Sequence, residues 1–148
     1  MTQMTANDRG LMAVARVRGA EEQASRIELE RALRRVKEDE RELRNREEMI
    51  LASAPFRAGS SAEFVQQRQS LQHMTQGASE AAQRLEASKR LAAEVHRTWL
   101  TRKTRLRAVE LLLERREARR REERARRERV ELDDLAGQGW LRAQEGRR

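Results

Sequence analysis

Residues 64–113 read FVQQRQSLQHMTQGASEAAQRLEASKRLAAEVHRTWLTRKTRLRAVELLL, and this stretch decides the fold. Phe64, Leu71, Ala78, Leu85, Ala92, Trp99, Leu106 and Leu113 stand seven apart in it. A second row at Met74, Ala81, Val95 and Val109 runs beside the first and is broken by Ser88 and Arg102. Two apolar rows with a seven-residue repeat describe an α-helix zipped to another helix along one stripe, because a period of about 3.5 residues keeps both rows facing the partner. Only 37% of the chain is apolar, so eight consecutive hits in one row exceed what that composition scatters at random.

On the N-terminal side of this stretch, Ser60-Ser61-Ala62-Glu63 fits a capping box, which predicts a helix start there. The preceding Ser53–Gly59 holds the single proline, Pro55, which lacks a backbone donor and turns Ala54 away from helical angles. Residues 53–60 are therefore expected to form a turn. Residues 9–52 read as a first helix, with Asn7 and Asp8 as N-cap candidates and Leu29, Val36, Leu43 and Ile50 as its seam. Its companion row is poor, since Asp39 and Arg46 occupy positions where apolar residues belong.

On the C-terminal side the second helix is expected over 61–136, ended by Gly137 and Gly139, with 137–148 as a loose tail. Gly77 is a tolerated interior glycine that costs about 1 kcal/mol against alanine. The expected fold is all-α, an antiparallel two-helix coiled-coil hairpin with a longer second helix, in a single domain over 1–148. A first arm folded straight back from the turn reaches only to about residue 105, leaving the rest of the second helix as an overhang.

Composition agrees. Charged residues make up 39% and aromatics 3%, the profile of a chain that buries a stripe and not a three-dimensional core. The absence of cysteine removes disulfides and thiolate metal sites and suits a reducing cytosol. The longest apolar run, Leu11–Ala15, is far short of the roughly 20 residues of a membrane span and of the roughly 7–15 of a signal sequence.

The net charge is +8, and thirteen basic against six acidic residues between Arg102 and Arg129 place most of it on one stretch. Such a stretch attracts nucleic acid, anionic lipid or an acidic protein surface. The spacing of Glu117–Arg121, Glu122–Arg126 and Glu123–Arg127 predicts i,i+4 pairs that support a lone helix by about 0.2–0.5 kcal/mol each.

No catalytic, cofactor or metal site is expected. His73 and His96 lie about 35 Å apart on one helix and share no ligand. Glu128, Glu131, Asp133 and Asp134 have no cleft beside them and read as a solvated face. Gly59-Ser60-Ser61 has neither the lysine nor the strand of a phosphate loop. No small-molecule substrate follows from these residues. Nucleic acid is disfavoured, because no groove-fitting motif or stacking aromatics accompany the basic run and glutamates dilute its field. A basic nucleic-acid-binding helix and a structural coiled-coil oligomer are the alternatives to a partner-docking helix. Trp140, in a polar tail, suits a partner anchor.

The second helix also carries a pattern that resembles a known family. Trp99 is followed by Arg102-Lys103, then Arg105-Leu106-x-Ala108, then Leu112 and a charged stretch, closing on Leu132-Asp133-Asp134-Leu135-Ala136. This is similar to the second half of the flagellar FliJ family, small coiled-coil proteins of the flagellar type III export apparatus. The motifs fall within 95–136; over 9–90 the resemblance is architectural. It implies a nonenzymatic protein without cofactor, cytoplasmic and peripheral at the inner face of the cell membrane. It also implies three partners: the export ATPase ring, in which the terminal end inserts, the export gate membrane protein, and export chaperones. Under it, Leu11–Val17 and the long helix through Leu135 face the ATPase. Arg119, Arg120, Arg124, Leu132, Asp133 and Leu135 are then the docking candidates, and guanidinium forks suit acidic loops lining a ring. Leu71 and Met74, in the tip half, are the gate-contact candidates.

Overall fold

The computed structural model describes residues 6–146. It contains two helices, α1 (Ala6–Ala52) and α2 (Ser61–Glu145), packed against each other as an all-α hairpin. No strand occurs among the described residues.

α1 begins earlier than its capping residues suggested. Asp8 lies inside the first turn and is no cap. A carboxylate there is favoured by the unpaired amides and the positive end of the helix dipole. At the other end the Ser53 amide donates to Ile50 O at 3.2 Å and its hydroxyl to the same oxygen at 2.6 Å, closing the last turn before Pro55.

The connection is built as its residues dictate. The Ser60 amide donates to Glu63 Oε2 at 2.7 Å and the Glu63 amide to Ser60 Oγ at 3.3 Å, the reciprocal bonds of a capping box. Gly59 has φ 154°, and a Cβ there would lie 2.5 Å from the Glu63 carboxylate and against the Phe56 ring. The positive φ favours glycine, and a Cβ would in addition push the Glu63 carboxylate out of the capping box.

α2 does not stop at Ala136. It runs on through Gly137 and Gly139 to Glu145, so the loose tail expected over 137–148 is helical to Glu145. Neither glycine takes positive φ. Each costs about 1 kcal/mol against alanine, but extending an established helix needs no new nucleus, so two glycines do not end it.

The chain divides into two compact units. The first, Gly19–Thr104, contains the connection and the helix segments on either side of it. Its seam on α1 follows Glu22, Ser25, Leu29, Ala32, Val36, Asp39, Leu43, Arg46 and Ile50, at alternating steps of three and four, each buried or half-buried. On α2 the matching seam runs through Met74, Ala78, Ala81, Leu85, Ser88, Ala92, Val95, Trp99 and Arg102. Asp39 and Arg46 therefore occupy the zipper itself. Asp39 is buried against Arg35 Nε at 3.3 Å, and Arg46 holds Glu42 at 2.6 Å while its guanidinium fills the space above Gly77.

At the tip the apolar row outlives its partner. Phe64 and Leu71 are each 43% exposed although both continue the seam. The reason is the connection. It runs back beside α2, so that the Gln67 amide donates to Ala54 O, and the first turns of α2 extend past the end of α1. Phe64 packs instead on Phe56, edge to face with centroids 5.2 Å apart.

The second unit joins Met1–Arg18 to Arg105–Arg148. Leu11, Ala15 and Arg18 on α1 and Leu106, Val109, Leu113, Arg116 and Arg120 on α2 are half-buried on the seam, and Asp8 is buried. α1 thus covers α2 as far as Arg120 and not only to residue 105. A straight fold-back from Ser61 ignores the turns of α2 that lie beyond Ala52.

Loss of Leu85, 7% exposed, by Leu85→Ala is expected to cost about 2–3 kcal/mol of unfolding free energy. Phe64→Ala should cost about 1 kcal/mol, since water already reaches much of that ring. Urea denaturation followed by circular dichroism measures both.

Candidate functional site

The motif residues that carried the family resemblance turn out to lock α1 to α2. In the unit Gly19–Thr104, Trp99 Nε1 donates to Glu22 Oε1 at 2.8 Å. The Lys103 ammonium sits 4.7 Å from the centre of the Trp99 ring, and the His96 ring lies 5.7 Å away on the same side of the helix. One turn on, Arg102 Nη1 donates to Ser25 Oγ at 2.6 Å and to Glu21 O at 3.3 Å. Ser25 is fully buried and its own hydroxyl donates to Glu21 O at 3.0 Å. These bonds satisfy groups that the seam removes from water. Glu22 and Ser25 were missed as site residues. The signal was present as polar residues at seven-residue spacing within otherwise regular seam rows.

In the unit that joins Met1–Arg18 to Arg105–Arg148, the basic stretch separates into paired and unpaired guanidinium groups. Arg107 lies 2.9 Å from Glu114 and 3.4 Å from Glu110, and hydrogen bonding to Glu114 pushes its pKa further above the ordinary value. Arg121 meets Glu117 at 3.7 Å, as its spacing predicted. Glu123 turns to Arg119 at 3.6 Å and not to Arg127, and no ion pair joins Glu122 to Arg126 among the described residues. Arg116 and Arg120 both reach Asp8. Beyond them Arg124 Nε donates to Arg120 O at 3.4 Å. Among the described residues no acidic side chain pairs Arg124, Arg126, Arg127 or Arg129.

Of the six docking candidates, Arg120 is drawn into the seam by Asp8, while Arg119 and Arg124 face solvent. Asp133 is exposed, as are Leu132 and Leu135 at 65% and 64%. Trp140 lies on the continuing helix and is exposed too, and Leu132, Leu135, Ala136, Trp140 and Ala143 share one face at steps of three and four. This face is separate from the row through Val130, Gly137 and Leu141 that prolongs the seam.

Leu71 and Met74, the other candidates, line an open hollow of about 1000 Å³ at the tip with Ile50, Pro55, Phe56 and Phe64. The hollow exists because α1 ends at Ala52 and leaves apolar α2 residues without a facing helix. Among the described residues, no group of His, Asp and Glu is arranged to hold a metal ion. No described helix is long and apolar enough to cross a membrane.

These features define a helical-hairpin protein that presents surfaces: a charged helical end and an apolar tip, each built on a polar-layered zipper. The family model for the flagellar FliJ protein matches residues 8–145. The chain belongs to the flagellar FliJ family, a non-catalytic component of flagellar type III protein export. No curated protein and no solved structure matches the chain significantly.

Ser25→Ala is expected to cost about 1–2 kcal/mol by taking away the nearer of the two acceptors of Arg102 Nη1. Adding Arg102→Met should recover most of that loss, since replacing both buried partners with apolar groups is often close to neutral. A double-mutant cycle on thermal unfolding checks this; a double variant less stable than Ser25→Ala would contradict the assignment.

Proposed function

We propose that this chain acts in flagellar export by docking its basic terminal end in the export ATPase ring. The tip would contact the export gate membrane protein, and the hairpin would receive export chaperones. The observation that carries the docking reading is the run of guanidinium groups from Arg124 to Arg129, without acidic partners among the described residues, leading into the exposed Leu132, Leu135 and Trp140. A stiff helix with unpaired forks followed by an apolar face suits a ring lined by acidic loops: the forks steer and orient, and the apolar face supplies burial.

The gate reading rests on Leu71 and Met74 at the open hollow. An apolar depression at a helix-pair end suits an apolar segment of a partner. The basic stretch leaves a nucleic-acid reading as the competitor. The pairs Arg119–Glu123 and Arg121–Glu117 interleave acids along the helix, which weakens a phosphate track.

The double variant Arg119→Glu/Arg124→Glu should weaken binding to the export ATPase about tenfold or more without lowering thermal stability, because both side chains project into solvent. Leu71→Asp/Met74→Asp should leave ATPase binding intact and abolish gate binding. Pull-down and stimulated ATP hydrolysis measure the first pair, and co-purification with the gate's cytoplasmic part the second. Retention on DNA at physiological salt together with no ATPase binding would transfer the basic stretch to the nucleic-acid reading.

A further inference from the structure

We propose that Arg116 and Arg120 form a carboxylate-binding site in which Asp8 is a replaceable resident, displaced by an acidic side chain of the partner; this rests on the docking reading above. Asp8 is 3% exposed and stands in the first turn of α1. Its Oδ1 lies 3.5 Å from Arg116 Nη1, and its Oδ2 accepts from Arg120 Nη1. The two arginines are one turn apart on α2, so both forks converge on one carboxylate.

Asp8 leaves this site incompletely used. The contact to Arg116 is at the outer limit of a hydrogen bond. Arg120 Nε is buried and has no acceptor among the described residues. Donors remain for a second carboxylate oxygen, or for a carboxylate placed better than the end of a helix allows. The resident is replaceable only by another carboxylate, since the two guanidinium groups need an acid between them. It belongs to the first turn of α1, where helices fray at low free energy, while Leu11 and Ala15 further along hold the seam.

Two consequences follow. Engagement of Arg116 and Arg120 by an acidic partner and docking of the first turn of α1 exclude each other, so each weakens the other by the same factor. Asp8 therefore sets a threshold: isolated carboxylates fail to compete with a tethered one, and a surface of closely spaced carboxylates succeeds. The exposed guanidinium groups from Arg124 onward supply first attraction, and the Asp8 site closes afterwards.

The test uses the full chain and a fluorescent polyglutamate peptide at physiological salt. Asp8→Asn should bind the peptide about tenfold more tightly than the unsubstituted chain, Asp8→Glu should bind like it, and Arg116→Gln/Arg120→Gln added to Asp8→Asn should erase the gain. Without any substitution, saturating peptide should speed amide hydrogen exchange over residues 9–15 and leave residues 78–95 unchanged. Equal or weaker binding by a fully helical Asp8→Asn variant overturns the proposal. Should that variant lose helicity, exchange in the unsubstituted chain decides: faster exchange over 9–15 supports displacement, and unchanged or slower exchange overturns it. Binding of the export ATPase is measured separately, so failure of the docking reading shows as loss of that binding while the peptide series still judges the site.

Discussion

The Arg102 guanidinium on the buried Ser25 hydroxyl is the contact on which the rest of the Gly19–Thr104 unit depends. An apolar heptad row alone does not choose a register, since a slip by one heptad replaces one leucine by another at little cost. A cation inside the zipper does choose. Moving Ser25 away strands Arg102 against alanine or leucine, and leaving a charged donor unpaired in a desolvated seam costs several times what a hydrogen bond gains. Trp99 on Glu22, one turn away, adds a second polar check in the same alignment. Arg46 adds a weaker preference, because its guanidinium rests above Gly77, where a Cβ would push it aside. These are the registry devices that polar residues at seam positions supply in coiled coils.

That alignment produces the tip. Once α1 and α2 are held in register, α1 finishes while α2 still has apolar residues to cover, and the connection must return along α2 to reach Ser61. Pro55 and Gly59 suit an extended, non-helical path, and Phe56 is delivered onto Phe64. The hollow beside Leu71 and Met74 is thus a consequence of unequal helix ends and needs no separate explanation.

The other unit carries paired charge on its seam as well. Seam positions at Arg116 and Arg120 give the zipper a polar end, and Asp8 closes it. Past Arg120 no seam partner on α1 lies among the described residues, and side chains from Arg126 to Glu145 are exposed. This exposed stretch is rich in guanidinium groups and ends in leucines and a tryptophan. The chain's family, the flagellar FliJ family, has an export-related role in the flagellum.

Much of this was legible in the residues. Both α2 rows, the Leu29–Ile50 row, the capping box at Ser60 and the break at Pro55 follow from local rules, because periodicity and capping act over a few residues. The family motif around Trp99 was legible too, although its structural task was not. What the tertiary structure alone decided is longer-ranged. It decided that Asp39 and Arg46 stay inside the seam, that Phe64 and Leu71 lose their partner, that α1 reaches Arg120, and that Asp8 is a ligand and not a cap. Each of these depends on which α2 residue stands opposite which α1 residue. A heptad repeat states that a residue faces a partner; it is silent on which one, and that choice is made only when the polar side chains of two separate helices find each other.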